Sequence, residues 1–183
     1  IGDAINSLSS NSPAKAEEII QGMIGFGGGA QGFGISADEA AAFTSVGISM
    51  GKDASTVSTA FNNFFRSLNT MDNQSKDFHE ALNKVGLSAK SIREGKIKDP
   101  AQAMVDIFGQ LSNYDTDTRE SVLASPFGAN DGSALFSSMP QNMPLLQAQL
   151  ALVRDINQEG KKSYVGSMEK EFQTMAQTTF GEL

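Results

Sequence analysis

The sequence predicts an all-α fold, a compact multi-helix domain of antiparallel helix pairs. Three observations carry that prediction. Apolar residues recur at i, i+3, i+4 in several runs, most clearly Val57, Ala60, Phe61, Phe64, Phe65 and Leu68, the spacing of one helix face. Helix-start signals stand ahead of such runs: Ser36 has Glu39 three residues on, and Asp99 immediately precedes Pro100, a capping box and an N-cap with Pro at N1. No segment alternates apolar and polar residues at period two for long enough to make a strand.

In chain order, Ser12–Pro13 reads as the start of a helix running to about Met23, with Ile19, Ile20 and Met23 apolar. The Ser36 capping box opens an Ala-rich helix that ends near Gly51, and Asp53 starts the next. Only two residues separate Ser36–Met50 from Asp53–Leu68, so these helices are expected to pack antiparallel. Phe78, Ala81, Leu82 and Val85 form a further amphipathic run that stops at Gly86, a C′ residue. Pro100–Ser112 is the next helix, and a shorter one runs through Leu123 before Pro126 and Gly128. Asp131 to Asn157 is long and apolar, with Pro140 and Pro144 expected to break it early. Tyr164, Met168, Phe172, Met175 and Thr179 form a last apolar stripe, which suggests an extended terminal helix. The expected sections are 1–34 (a helix and a Gly-rich linker), 35–139 (a helical core) and 140–183 (C-terminal helices).

Two stretches depart from this pattern. Ile19 to Ala37 is nineteen residues without a charge, seven of them Gly. It is long enough to cross a bilayer but too rich in Gly for an ordinary spanning helix. Because Gly costs about 1 kcal/mol in a helix interior, it reads first as a flexible linker. A membrane-active or hinge segment built on Gly25, Gly27, Gly28, Gly29, Gly32 and Gly34 is the sharper alternative, and a close helix-packing contact is a third. The other stretch is the connector from Val85 towards Phe108. With its flanks it gathers Lys84, Lys90, Arg93, Lys96 and Lys98 against the single acid Glu94. It reads as a solvated loop neutralised by the acids that follow, since Asp99 to Asp131 carries six acids and only Arg119. A contact for DNA or a partner is the alternative.

Composition narrows the chemistry. The 183 residues fit one sizeable domain or one domain with extensions, and 39% apolar with 19% charged residues suits a folded chain. A net charge of −7 argues against broad nucleic-acid binding. Cysteine is absent, which excludes disulfides and thiolate metal sites. Tryptophan is absent too, while 12 Phe and 8 Met supply an adaptable core; Met71, Met104, Met139, Met143, Met168 and Met175 lie on or near apolar stripes. The chain opens on Ile1 without a signal-like segment, as expected of a piece of a longer protein. Gly27–Gly32 matches G-x-G-x-x-G in form, but a helix precedes it where dinucleotide binding needs a strand. His79 is the one histidine, with no second to share a metal. Glu17/Glu18 and Glu169/Glu171 have the spacing of solvated helix faces. No catalytic, cofactor-binding or metal-ligating residue is therefore singled out.

The order of elements from Ile35 to about Phe136 resembles the core region of phage tail tape measure proteins. ISADEAAAFTSVGISMG is similar to that region's Ser-capped, Ala-rich helix ending in Gly, and DASTVSTAFNNFFRSL to the helix after it. FHEALNKVGLSAKSIREGKIKDPAQAMVDIF resembles the next stretch through Leu82, Gly86, Leu87, Ser88, Gly95, Lys96, Asp99, Pro100 and Ala101. SVLASPFGANDGSALFSSM resembles a Leu-then-Phe-Gly segment followed by a small-residue helix; Ser125–Pro126 departs from the pattern and predicts an early helix end. The resemblance implies a structural protein of a phage or prophage tail that sets tail length and leaves with the DNA at infection. It further implies self-association in the lumen of the tail tube and contacts with tail tube and tail assembly chaperone proteins. Presence in the host cytoplasm during assembly follows from the same resemblance. It implies no cofactor, no catalytic residue and no specific nucleic-acid recognition. Two other classes stay open: a membrane-interacting module of the ejection machinery, resting on Ile19 to Ala37, and a peptidoglycan-cleaving enzyme using the glutamate pairs.

Overall fold

The computed structural model describes residues 1–25, 27–127, 131–170 and 173–174. They form α1 (Gly2–Ser10), α2 (Ala16–Ile24), α3 (Gly27–Phe33), α4 (Ala37–Ser49), α5 (Ala54–Asn69) and α6 (Lys76–Lys84). Then come α7 (Ala89–Lys98), α8 (Pro100–Leu111), α9 (Thr116–Phe127), α10 (Asp131–Ser138) and α11 (Met143–Arg154), with short 3₁₀ turns at Met71–Asn73 and Met139–Asn142. One isolated antiparallel bridge, Ile156–Lys162, is the sole β-type pairing among the described residues. The all-α prediction holds.

Caps set most of the boundaries. Ser36 Oγ accepts the Glu39 N–H at 3.2 Å while the Glu39 carboxylate accepts the Ser36 N–H at 3.0 Å, so both orphan donors are satisfied. Asp53 accepts from Thr56 N–H at 2.8 Å, and Asp99 from Gln102 N–H at 3.2 Å. Gly86 ends α6 and its loop at φ +73°, a conformation a side chain resists. Pro140 and Pro144 break the expected long helix into α10, a 3₁₀ turn and α11.

Several expectations need correction. Ser12 does not open α2: its hydroxyl donates to the Leu8 carbonyl at 2.9 Å, closing the C-terminus of α1, a helix with no cap signal of its own. α2 starts after Lys15, whose N–H is accepted by Glu18 at 3.2 Å. The Gly-rich run is no linker, because α3 occupies Gly27–Phe33. The basic connector is no loop either: Ser88 and Ser91 cap α7 reciprocally, at 3.0 and 3.1 Å. α9 continues to Phe127, carrying Pro126 in its last turn, where a missing N–H breaks only one intrahelical bond. Residues 155–166 form turns and the bridge, so the expected helix is interrupted there, and helix resumes only at 167–170 and 173–174. Of the last stripe, Tyr164 is half-buried and Met168 exposed; Phe172, Met175 and Thr179 lie outside the described residues.

α4 sits at the centre. Every residue from Ala40 to Ile48 is buried, with α1, α2, α5 and α11 packed around it. Small residues suit such a helix, and its polar ones turn inward, Thr44 Oγ1 donating to Ala40 O and Ser45 Oγ to Ala42 O at 2.8 and 2.7 Å. Phe43 meets Phe61 at 5.9 Å between centroids, and Gly47 faces Val57. The α4 positions rise as the α5 positions fall, which is the expected antiparallel pairing. α5 then carries the aromatic core: Phe64 lies 4.5 Å from Phe136 and 5.9 Å from Phe108, and Phe65 lies 5.7 Å from Phe33. Offset and edge contacts of this kind contribute beyond area burial.

Candidate interaction surfaces

The glycines of the uncharged run divide by face. A Cβ on Gly22 would stand 2.5 Å from Thr44 Cγ2, one on Gly25 would overlap the Ser58 hydroxyl, and one on Gly29 would stand 3.1 Å from Phe65 Cβ. Gly32 abuts Asn69, whose amide donates to the Gly29 carbonyl at 3.1 Å. Gly22 and Gly25 stand at the end of α2, and Gly29 and Gly32, three residues apart, share one face of α3. Together they form a seam along which backbone lies directly on α4 and α5. Gly27 opens α3. Gly34 closes it at φ +102°, with Pro100 Cγ 2.7 Å from where a Cβ would be. A Cβ on Gly28 would meet nothing within 4 Å. On the outer side of α2, Ile20 and Ile24 are 48% and 79% exposed. The close-packing reading, weighed third in the sequence, is the one the geometry matches.

The basic residues are not brought into one patch. Lys84 lies on α6 in a small cleft against α9, together with Asp77, Glu80 and Ser121. Arg93 pairs with Asp72, ahead of the connector and not among the acids after it. Lys96 lies over the Phe33 ring, 5.2 Å from its centroid, a cation–π contact that ties α7 to α3. Lys90 and Lys98 are exposed, and so is Ile97 next to Lys98, at 79%. Asp99 of the acidic stretch pairs elsewhere, with Arg154, which also reaches Glu39 at 3.8 Å.

Arg154 was not singled out in the sequence, yet it joins the N-terminal caps of α4 and α8 from the end of α11. Burial pushes the Asp99 carboxyl up, but the bond from Arg154 and the Gln102 N–H outweigh it and hold the group below its usual value. The same bond raises the Arg154 guanidinium. A second long-range clasp runs from the C-terminal stretch. The Gly166 and Met168 amides hold the Asp3 carboxyl below its usual value, and Tyr164 donates to Asp38. Burial, then that bond, pushes the Tyr164 hydroxyl up to about 12. Gln149 is a third such residue, fully buried, its amide donating to Leu8 O at 3.1 Å and Ser45 Oγ at 2.9 Å. It had a legible signal, being the polar residue on the Leu146, Leu150, Val153 face.

His79 is half-buried, with Nε2 3.0 Å from the Met71 carbonyl, so that nitrogen carries the proton. Arg119 is buried, its Nη2 donating to Thr116 at 3.2 Å. Among the described residues no group of three or more His, Asp or Glu is placed to hold a metal ion, and no helix is long and apolar enough to cross a membrane.

In this helical module the distinctive residues join elements to one another. Comparison with known families says where it belongs. The chain belongs to the family of phage-related minor tail proteins, whose model matches residues 1–128. It is therefore a phage tail protein, associated with the virion and with other tail components. No curated protein and no solved structure matches it. The family match reaches back from Ile35, where the sequence resemblance begins, across α1, α2 and α3, and so takes in the whole glycine seam.

Proposed function

We propose that this chain is a segment of a tape measure protein. The parent sets tail length while tube subunits polymerise around it and leaves through the tube with the DNA. The observation that carries this is the coincidence of the minor tail family match over residues 1–128 with the tape-measure-like order of helices from Ile35 to Phe136. On this reading the role is structural and not catalytic. The partners are further copies in the tail lumen, tube subunits and a tail assembly chaperone, the last met in the host cytoplasm. The compact fold bears on how the segment contributes length. Drawn out as one helix, 183 residues at 1.5 Å each would span roughly 275 Å. As a folded body the same chain measures only about 40 Å across, by radius-of-gyration scaling. Gly34, Gly51 and Gly86 at positive φ and Pro100 at a helix start favour the compact form.

The test is tail length by electron microscopy after in-frame deletion of this segment from its parent gene. Shortening by about 40 Å is expected. Shortening near 275 Å, the extended-helix figure, would mean that the segment is drawn out in the tail. Tails of unchanged length would remove the ruler role.

A second reading, contact with the host membrane at ejection, is favoured by exposed Ile20 and Ile24 on the outer side of α2. Leakage of liposomes by the intact chain, lost in I20S/I24S, is its expected outcome; liposomes that stay sealed would dismiss it.

A further inference from the structure

Past Arg154 the chain changes character. None of residues 155–170 is buried, and Ile156 and Val165 are 59% and 51% exposed, so apolar burial does little to hold this stretch down. Hydrogen bonds to two helix N-termini hold it instead. Asp3, in the first turn of α1, accepts the N–H of Gly166 at 3.0 Å and of Met168 at 3.2 Å, and its carbonyl accepts the Ser167 hydroxyl at 2.9 Å. Asp38, in the first turn of α4, accepts the Tyr164 hydroxyl. Between this stretch and the helices lies a cleft of about 640 Å³, with Ser7, Ala151 and Leu152 on the helical wall and Ser163, Tyr164 and Lys170 opposite.

The stretch is also ordered within itself. Ser163 N–H donates to Asp155 O at 3.0 Å, Asn157 N–H to Lys161 O at 2.7 Å, and the Asn157 carboxamide oxygen accepts from Glu159 and Lys161 N–H at 2.9 and 3.0 Å. It therefore has the means to move as a body. Its root is fixed, because Val153 is fully buried and Arg154 is held by Asp99 and Glu39.

We propose that residues 155–170 form a releasable strap, which makes one wall of the cleft beside α1 and α11 while Asp3 and Asp38 hold it and swings away when those anchors are lost, leaving the helical core folded. Opening exchanges hydrogen bonds at half-exposed groups for bonds to water, which costs little net free energy, and local opening of this kind is drawn from the least buried parts of a fold. It bares the half-buried Leu152, beside an Ala151 that is already exposed, without disturbing Leu150 or Val153. The inference stands on the described side chains and does not depend on the tape measure reading.

The absence of native cysteine makes the test direct. Spin labels placed by T59C, at an exposed position of α5, and K161C at the strap tip report their separation by electron–electron double resonance. The otherwise unaltered chain should give one narrow distance distribution. Adding D3A, Y164F and S167A, the last because Ser167 bonds the Asp3 carbonyl and Asn6, should broaden it and add a longer distance, with the far-UV helical signal unchanged. A distribution that stays narrow in D3A/Y164F/S167A would overturn the proposal. So would loss of the helical signal in Y164F alone, which removes a single hydroxyl, because the stretch would then be part of the core.

Discussion

The glycine-rich seam and the basic helix α7 look alike in sequence, each a stretch that reads as a break between helices, and they become helical for opposite reasons. α3 carries four glycines in seven residues, so its intrinsic propensity is poor. It forms because missing side chains let its backbone sit against Phe65 and Asn69, a seat that only tertiary structure supplies. α7 has the reverse balance. It buries one residue, Ile92, and relies on a reciprocal serine cap, Arg93–Asp72 and Lys96 over Phe33. One segment is held by what it lacks, the other by local caps and long side chains reaching outward.

The largest expected effects come from removing the residue each helix rests on. Phe65→Ala should destabilise by about 3–5 kcal/mol, the usual cost of truncating a buried Phe, and Ile92→Ala by about 2–5 kcal/mol. Urea unfolding monitored by circular dichroism reads both. Near-wild-type midpoints would mean that α3 and α7 are not seated as described. The glycines give a sharper contrast because the signs differ. Gly34→Ala meets a φ of +102° and Pro100 at 2.7 Å, and should cost about 1–3 kcal/mol. Gly28→Ala meets open space inside a helix and should stabilise by about 0.5–1 kcal/mol. A flexible linker would leave both midpoints where they were.

These contrasts show what was legible. Ser36, Asp53, Asp99–Pro100 and Gly86 declare helix ends through bonds three or four residues long, so a local pattern finds them. The α5 stripe does so by periodicity. α1 has no cap signal, and α3 has a composition that argues against it, so both were hidden. The clasps were hidden for another reason. Tyr164–Asp38 and Gly166–Asp3 join residues 126 and 163 positions apart, and no spacing rule reaches that far. Among the basic residues, the sequence showed the charges but not their dispersal over separate partners.

Acid should separate the caps from the seam. Burial works against Asp99, but the bonds from Arg154 and Gln102 outweigh it; Thr118 holds Asp115 below its usual value, side-chain bond first. Both caps therefore stabilise the fold above the ordinary carboxylate range, and that contribution is lost as pH falls through the lowered values. Amide exchange of α8 and α9 should accelerate in acid beyond the intrinsic trend, more than that of α3, whose seam contains no carboxylate; equal acceleration would contradict this. The smallest effects belong to the basic helix surface. Lys96→Ala should cost about 0.5–1 kcal/mol through the lost contact with Phe33, whereas Lys90→Ala should stay within about 0.5 kcal/mol. Thermal melts of the two variants decide whether Lys96 differs from its neighbour.

The most direct test of the account is native-state hydrogen exchange at the amides of Gln31 to Gly34. If the glycine-rich run is a helix seated on α5, these amides, bonded to carbonyls within α3, should be protected to nearly the same extent as those of Phe64 and Phe65. Exchange at the rate of an unstructured peptide, with α5 still protected, would contradict it and return the run to a linker.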